Sequence, residues 1–249
     1  EFGDEKIYAV PYDMPLIGYD TKTINTLRLW QSEPIENFNF EAFNNQKYEL
    51  AVKEKNQADY ICMVIYPNDD TDQGKMLRLK QQYFMASASV QDCVRRFVRY
   101  HGTNFSEFPK YNAIQLNDTH PVVAIPELIR ILTKNYQILF EDAFAIAQST
   151  FAYTNHTIMA EALEKWNVRL FKKVLPDVYD IVKTINKRLI DELKRKNMNK
   201  EEISTYTIID KELIHMARMA VYGTFSTNGV AKIHTNIIKN DTLDNWHVL

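Results

Sequence analysis

Glycine is scarce in this sequence of 249 residues, with only six, and there are only two cysteines. Two cysteines do not make a disulfide framework. Cys62 and Cys93 both stand in apolar surroundings, which is typical of small buried side chains. The phosphate-binding loops GxGxxG and GxxxxGK[ST] are missing, as are the CxxC and HExxH zinc signatures. The sequence therefore offers neither a standard nucleotide loop nor a standard zinc site.

An excess of charge of one sign and long apolar runs are missing too. Thirty basic residues against 32 acidic residues give a net charge of −2, which argues against a dominant nucleic-acid or acidic-membrane footprint. No apolar run approaches the roughly 20 residues that a membrane-spanning helix needs, and the first residues contain no signal-peptide core. We therefore expect a cytoplasmic protein without a nucleic-acid or membrane partner.

Apolar periodicity predicts a helix-rich α/β protein whose strands are dispersed along the chain. The predicted strands lie at residues 6–10, 26–30 and 113–116. The predicted helices lie at residues 48–56, 75–101, 141–151, 159–196 and 230–239. Within the fourth helical stretch, Trp166 is assigned to a first helix and Pro176 breaks it or starts the next. Asp210 is predicted to cap a further helix that Gly223 ends.

Three polar clusters follow apolar segments and interrupt this regular structure. They are Asn68-Asp69-Asp70, Asn117-Asp118-Thr119-His120 and Thr154-Asn155-His156. In open α/β sheets, ligands bind where strand ends meet helix starts, and amides, carboxylates and imidazoles can hold a polyhydroxy ligand. Each cluster also fits a structural role. Asp118 can cap the helix that holds Pro121, His156 can be a hydrogen-bonded structural histidine, and residues 67–74 can be an exposed, mobile loop.

The residues alone leave several kinds of site open. Asp118, His120 and His156 could bind a metal, although no spacing defines a ligand set. A glycosidase would need two acids at a separation that the sequence does not give. Arg95 and Arg96 could bind an anionic effector or form the exposed basic face of a helix.

The ordered set of motifs strongly resembles the α-glucan phosphorylase family, which comprises glycogen, starch and maltodextrin phosphorylases. The motifs run in family order as YDMP at 12–15, LRLW at 27–30, YPND at 66–69, LRLKQ at 77–81, LNDTHP at 116–121, AYTNHT at 152–157 and NGVAKIH at 228–234. The resemblance implies that residues 1–249 are a segment of the N-terminal Rossmann-like domain of a two-domain, glycosyltransferase-B-type fold. It also implies that the C-terminal cofactor domain lies outside this sequence.

The resemblance implies an activity and its partners. The parent enzyme would release glucose 1-phosphate from the non-reducing end of α-1,4-glucans, with orthophosphate as the second substrate and pyridoxal 5′-phosphate as cofactor. Relatives of this kind are usually homodimers, so a homodimer is expected for the parent enzyme.

The resemblance also implies roles for residues of the sugar pocket. His156 matches a catalytic residue that contacts the 6-hydroxyl of the reacting glucose, and whose backbone carbonyl helps to stabilise the oxocarbenium charge. Asp118 matches a pocket residue beside the anomeric carbon, with His120 nearby. Val230 matches a residue that lines the sugar pocket.

Two further groups of residues match family sites other than these three positions of the sugar pocket. Asn68, Asp69 and Asp70 belong to a stretch that resembles a loop gating substrate entry, and they are predicted to bind substrate. Arg95 and Arg96 match a pair that binds an activating nucleotide or a regulatory phosphate in animal enzymes.

The resemblance leaves the catalytic machinery incomplete within this sequence. The cofactor-binding lysine, the basic phosphate cluster and the glycine-rich loop of the family match no stretch of it, so we expect no cofactor-binding residue here, and no metal site. The isolated chain is therefore expected to be inactive. A non-catalytic glucan-binding or regulatory module is the alternative, and a metal-dependent hydrolase is a distant third.

Overall fold

A computed structural model of the protein describes residues 2–3, 5–157 and 159–248, apart from the side chain of Val248, and shows the helix-rich α/β class that the sequence predicts. The residues divide into two compact units, Glu1–Ala88 and Ser89–Leu249. The division falls within a long helix, Asp72–His101. Among the described residues, no helix combines the length and the apolar character needed to cross a membrane.

The first unit is built on a long antiparallel hairpin. Its strands are β1 (Ile7–Ile17) and β2 (Ile24–Pro34). Its helices are α1 (Phe40–Asn44), α2 (Tyr48–Ala51), α3 (Lys53–Met63) and the first part of α4 (Asp72–His101). Across the hairpin, the Arg28 guanidinium donates to both carboxylate oxygens of Asp13, each at 2.7 Å. The hydroxyl of Ser32 donates to the carbonyl of Ala58 at 2.6 Å and ties β2 to α3.

The predicted elements of this unit are present with different bounds. The strands predicted at 6–10 and 26–30 are confirmed, but each extends to 11 residues because they pair along their whole length. The helix predicted at 48–56 is divided at Val52, and its second part continues to Met63. Helix α4 begins three residues earlier than predicted and ends before Gly102, whose φ of +74° suits the left-handed conformation that ends helices.

The second unit combines two small sheets with helices. Its strands are β3 (Ile114–Asn117), β4 (Phe151–Asn155), β5 (Lys165–Asn167), β6 (Ile209–Asp210), β7 (Leu213–His215) and β8 (Thr227–Gly229). Its helices after α4 are α5 (Phe108–Tyr111), α6 (Ala124–Tyr136), α7 (Phe140–Thr150), α8 (Val168–Val174), α9 (Pro176–Arg195), α10 (Lys200–Tyr206), α11 (Met216–Tyr222), α12 (Lys232–Ile237) and α13 (Asp244–Val248). Single turns of other helix types lie at Phe105–Glu107, Ala160–Ala162 and Ile238–Thr242.

A parallel sheet forms the centre of the second unit. Its strand order is β3-β4-β8, with Asn117 opposite Thr154 and Asn155 opposite Gly229. Helices α6 and α7 connect β3 to β4, as a crossover between parallel strands requires. Their apolar faces and the strands bury large side chains completely, including Leu116, Leu128, Phe144, Phe151 and Tyr153. Burial of apolar surface of this extent is the main stabilising contribution to such a short-stranded sheet.

Two helix predictions in this unit are wrong, because the residues concerned lie in strands of a second sheet. Trp166, predicted to lie in a helix, lies in β5 opposite Ile214 of β7. Asp210, predicted to cap a helix, lies in β6 opposite Leu213, and the helix begins only at Met216. Strands of two or three residues are too short to show a period in the sequence, and the partner of Trp166 lies far away in the chain.

The remaining boundaries in the second unit follow local chemistry. Pro176 stands at the first position of α9, where its missing N–H is not needed. Gly223 follows α11, as predicted. The helix predicted at 230–239 is shorter, because α12 starts at Lys232 and a π turn follows it.

Asn186 joins the second sheet to α9, and its removal tests this connection. Its side-chain oxygen accepts from the backbone N–H groups of Ile208 and Ile209 at 2.9 and 3.1 Å. We expect Asn186→Ala to lower the free energy of unfolding by about 1–3 kcal/mol, because two donors lose their acceptor. Urea denaturation measures the change, with exposed Lys187→Ala as the neighbouring control. Equal free energies of unfolding for the two variants would contradict a stabilising role of the Asn186 hydrogen bonds.

Candidate functional site

The carboxyl ends of the three parallel strands bring the predicted pocket residues to one edge. Asp118 directly follows β3, His156 directly follows β4, and Val230 directly follows β8. Because the strands are parallel and in register, these three positions lie at the same edge of the sheet. Crevices outside this edge are where open α/β sheets bind ligands. We call this group, together with His120, the strand-end site.

His156 is exposed, and the end of β3 holds its ring. Nε2 of His156 makes a short hydrogen bond with Oδ1 of Asn117. A carbonyl oxygen only accepts, so the imidazole donates from Nε2. In the neutral ring, Nδ1 is then an acceptor, which suits a hydroxyl group of a ligand.

Asp118 adopts a backbone conformation that is uncommon for a residue with a side chain. Its φ is +65°, which aspartate tolerates better than most residues. Its N–H donates to the Thr154 carbonyl at 2.8 Å, and its Oδ1 accepts from the Thr119 N–H at 2.7 Å. The structural alternative for Asp118, a helix cap, is wrong, because α6 begins at Ala124 after Val123. The carboxylate instead stabilises the turn that leaves β3, and this local strain is typical of functional sites.

His120 pairs with an acid that the sequence analysis did not select. Nδ1 of His120 lies 3.8 Å from Oε1 of Glu164, whose side chain is mostly buried. Glu164 lies just before β5, so the segment that leads into the second sheet contributes an acid beside the strand-end site. The sequence gives no signal for this contact, because it depends on how the two sheets are placed within the unit.

A row of polar side chains crosses the same sheet. Gln115 donates from Nε2 to the Thr154 hydroxyl at 2.8 Å, and that hydroxyl lies 3.1 Å from Oδ1 of Asn228. One side chain from each strand therefore takes part. The row ties the three strands together just behind the strand-end site.

The backbone of Gly229, the last residue of β8, lies very close to residues of α12. A Cβ atom added to Gly229 would lie 2.8 Å from the Thr235 nitrogen and 2.9 Å from Cγ of His234. Only glycine fits this contact without a shift of the backbone. The Gly229 N–H also donates to the Thr235 hydroxyl at 3.0 Å. Val230 follows Gly229, and its side chain is 56% exposed, so it is accessible to a ligand.

The acidic loop of the first unit is held by its own contacts. Asn68 accepts from the Asp70 N–H at 2.9 Å and donates to the Asp70 carboxylate at 3.0 Å. Asp69 pairs with Arg78 of α4 at 2.6 Å. A Cβ atom on Gly74 would lie 2.1 Å from the Asn68 carbonyl, so glycine is needed for the loop to fold back this closely. Asn68 and Asp70 are exposed, and their role in substrate binding stays a prediction.

The arginine pair lies on the exposed face of α4 within the second unit. Arg95 and Arg96 are both exposed, and Arg95 pairs with Asp92 three residues earlier at 2.5 Å. The geometry fits a basic helix face, and an effector-binding role stays a prediction.

The part of the chain that the structure describes contains no set of ligands that would support the metal alternative. No group of three or more histidine, cysteine, aspartate or glutamate side chains lies close enough together there to hold an ion. Asp118, His120 and His156 therefore lie at one edge without forming such a group.

A cavity of about 490 Å³ opens beside Glu164 in the second unit. Its lining includes Lys165, His215, Arg218 and Trp246. Arg218 donates to the Thr207 carbonyl at 2.8 Å. Burial, with smaller contributions from the charges of Arg218 and Lys165, lowers the pKa of His215 to about 4. The ring is therefore neutral at physiological pH.

The lowered pKa of His215 predicts how stability depends on pH. The unfolded chain binds this proton near pH 6.5 and the folded chain only near pH 4, so the contribution is present above pH 6.5 and is lost as the pH falls toward 4. Because the ring is half-buried, the discounted effect is about 1–2 kcal/mol. We expect His215→Gln to remove this part of the acid destabilisation, measured by urea denaturation at pH 7 and 4.5. His247→Gln, at an exposed histidine, serves as control. Equal acid sensitivity of wild type and His215→Gln would contradict the assignment.

The parallel sheet of this α/β unit therefore carries polar side chains at its carboxyl edge, where open α/β sheets bind ligands. Comparison with known proteins gives the particular family. Residues 2–249 match the family described as carbohydrate phosphorylase. The chain belongs to this family.

Curated relatives match nearly the whole chain but only part of their own length. Glycogen phosphorylase 2 of Dictyostelium discoideum is 44% identical over 95% of this chain and 24% of the relative. The liver form of human glycogen phosphorylase is 41% identical over 98% of the chain and 30% of the relative. Alpha-glucan phosphorylase 2, cytosolic, of Arabidopsis thaliana is 41% identical over 94% of the chain and 29% of the relative. The chain thus spans between about a quarter and a third of these relatives.

Proposed function

We propose that this chain is the part of an α-glucan phosphorylase that forms one wall of its sugar pocket. The observation that carries the proposal is the convergence of Asp118, His156 and Val230 at the carboxyl edge of one parallel sheet. These are the positions that the family resemblance assigns to the pocket. The parent enzyme would release glucose 1-phosphate from the non-reducing end of α-1,4-glucans, with orthophosphate as the attacking group.

The proposed chemistry of this wall is the recognition of hydroxyl groups and the stabilisation of positive charge. His156 would accept a hydrogen bond from the 6-hydroxyl at Nδ1, because its Nε2 is bound to Asn117. The Asp118 carboxylate has an oxygen beyond the one that accepts from Thr119, and it would face the anomeric side of the sugar. The His156 carbonyl would lie where an oxocarbenium charge develops.

Pyridoxal 5′-phosphate, the proposed cofactor of the parent enzyme, does not fit the strand-end site itself. A Schiff base needs a lysine amine, and the strand-end site consists of Asp118, His120, His156 and Val230. The cofactor would therefore be held by another part of the parent enzyme. The isolated chain would bind sugar weakly at best and would not catalyse.

The remaining features of the proposal concern the assembly. Residues 1–249 would form a segment of the N-terminal Rossmann-like domain of a glycosyltransferase-B-type fold, and the β3-α6-α7-β4 crossover supports this arrangement. The parent enzyme would be a cytoplasmic homodimer. A second candidate function is a non-catalytic glucan-binding or regulatory module, in which the strand-end site would bind a glucan without any cofactor.

Phosphorolysis by two proteins tests the proposal. The product of the complete coding region and the 249-residue chain alone are each given an α-1,4-glucan, orthophosphate and pyridoxal phosphate. We expect glucose 1-phosphate from the first and none from the second. Loss of activity by Asp118→Asn in the first, with its fold retained, would place the pocket at the strand-end site.

Three outcomes would contradict parts of this proposal. Turnover by the 249-residue chain would show that its own residues are sufficient for catalysis. No turnover by either protein, together with measurable glucan binding, would favour the non-catalytic module. Activity that chelators abolish would revive the metal-dependent alternative.

A further inference from the structure

We propose that Asn155 is a positioning residue for His156, and that its buried carboxamide sets the turn that brings the imidazole to Asn117. The inference rests on the proposed function only in the role given to His156. The geometry itself belongs to this chain and is independent of any activity.

Asn155 is the last residue of β4, and its polar side chain is completely buried. A buried carboxamide destabilises a fold unless it is hydrogen-bonded. Asn155 donates from Nδ2 to the Tyr153 hydroxyl at 2.8 Å and accepts at Oδ1 from the Thr157 N–H at 2.8 Å. The two bonds join the interior of the strand to the residue beyond His156.

Tyr153 is a rigid partner for this carboxamide. Its side chain is fully buried, and burial raises the pKa of its hydroxyl well above the ordinary value, so the hydroxyl stays neutral. A neutral hydroxyl can accept from the amide without bringing a charge into the core. The strand core therefore defines where the Asn155 carboxamide points.

The bond to Thr157 spans His156. A side-chain oxygen that accepts from the N–H two residues later closes a compact turn, in which the middle residue has little freedom. The middle residue here is His156, whose ring is exposed and whose Nε2 meets Asn117 on the neighbouring strand. Without the turn, an exposed imidazole would adopt several orientations.

A purely structural role for Asn155 is the competing explanation. Under that explanation the carboxamide only satisfies buried groups, and its loss lowers stability without moving His156. Thr150 offers a matched control, because it is also completely buried just before β4 and donates to the Ile146 carbonyl at 2.8 Å. Removal of its hydroxyl disturbs the same region but not the turn.

Nuclear magnetic resonance of the isotope-labelled 249-residue chain separates the two explanations. The readouts are hydrogen exchange at the Thr157 amide and the nuclear Overhauser contact between the His156 ring and the Asn117 side chain. For Asn155→Ala we expect about tenfold faster exchange, as loss of one hydrogen bond implies, and loss of the ring contact. For Thr150→Val we expect a lower melting temperature with both readouts unchanged.

The result that overturns the inference is a folded Asn155→Ala chain that keeps the slow Thr157 exchange and the ring contact. Equal disturbance of both readouts by Thr150→Val overturns it as well. If Asn155→Ala does not fold, Tyr153→Phe replaces it, because it removes only the partner of Nδ2. Exchange at least about threefold faster then supports the inference, and unchanged exchange overturns it.

Activity of the complete coding-region product provides a separate readout. We expect Asn155→Ala to lower kcat/KM for α-1,4-glucan more than Thr150→Val does. If the wild-type product does not turn over glucan, the proposed function fails, while the exchange and ring-contact readouts still decide the role of Asn155. Equal kcat/KM for the two variants would overturn the positioning role in catalysis.

Discussion

The parallel pairing of β4 with β3 on one side and β8 on the other is the constraint on which the candidate site depends. It puts three segments that are far apart in the chain at the same edge of one sheet. Parallel strands need long connections, and here they are α6 and α7 on one side and a stretch of about 70 residues on the other. A shift of the register would separate Asp118 from His156 and remove the Asn117 contact.

Burial and polar contacts have different tasks in this sheet. Side chains such as Phe151 and Leu116 are fully buried and contribute most of the stabilising free energy. The polar groups at the strand ends contribute less to the free energy of folding. They orient the side chains around them, because hydrogen bonds have a preferred geometry. Hydrogen bonds at these strand ends join Asn117 to His156, Asn155 to Thr157, and Thr154 to Asn228. Asp118, His156 and Val230 each follow directly on a strand, so the strands support their positions, which favours well-defined geometry.

Sequence reasoning finds the elements whose signals are local. Pro176 and Gly223 mark helix ends correctly, since each acts through its own backbone. The predictions for Trp166 and Asp210 are wrong for two reasons. Trp166 pairs with Ile214, which is far away in the chain, and Asp210 lies in a strand of two residues, which is too short to show a period. The same distinction holds at the site. Asp118 and His156 follow strands and can be predicted, whereas the contacts of Asn117 and Glu164 depend on tertiary placement.

The central claim is that the edge formed by β3, β4 and β8 is the surface that holds the sugar. Hydrogen–deuterium exchange of the complete coding-region product, with and without a short α-1,4-glucan, tests it most directly. The account predicts slower exchange in peptides covering 114–121, 151–157 and 227–231, with no change around Arg95 on α4. Protection confined to other segments, with these three unchanged, would contradict it.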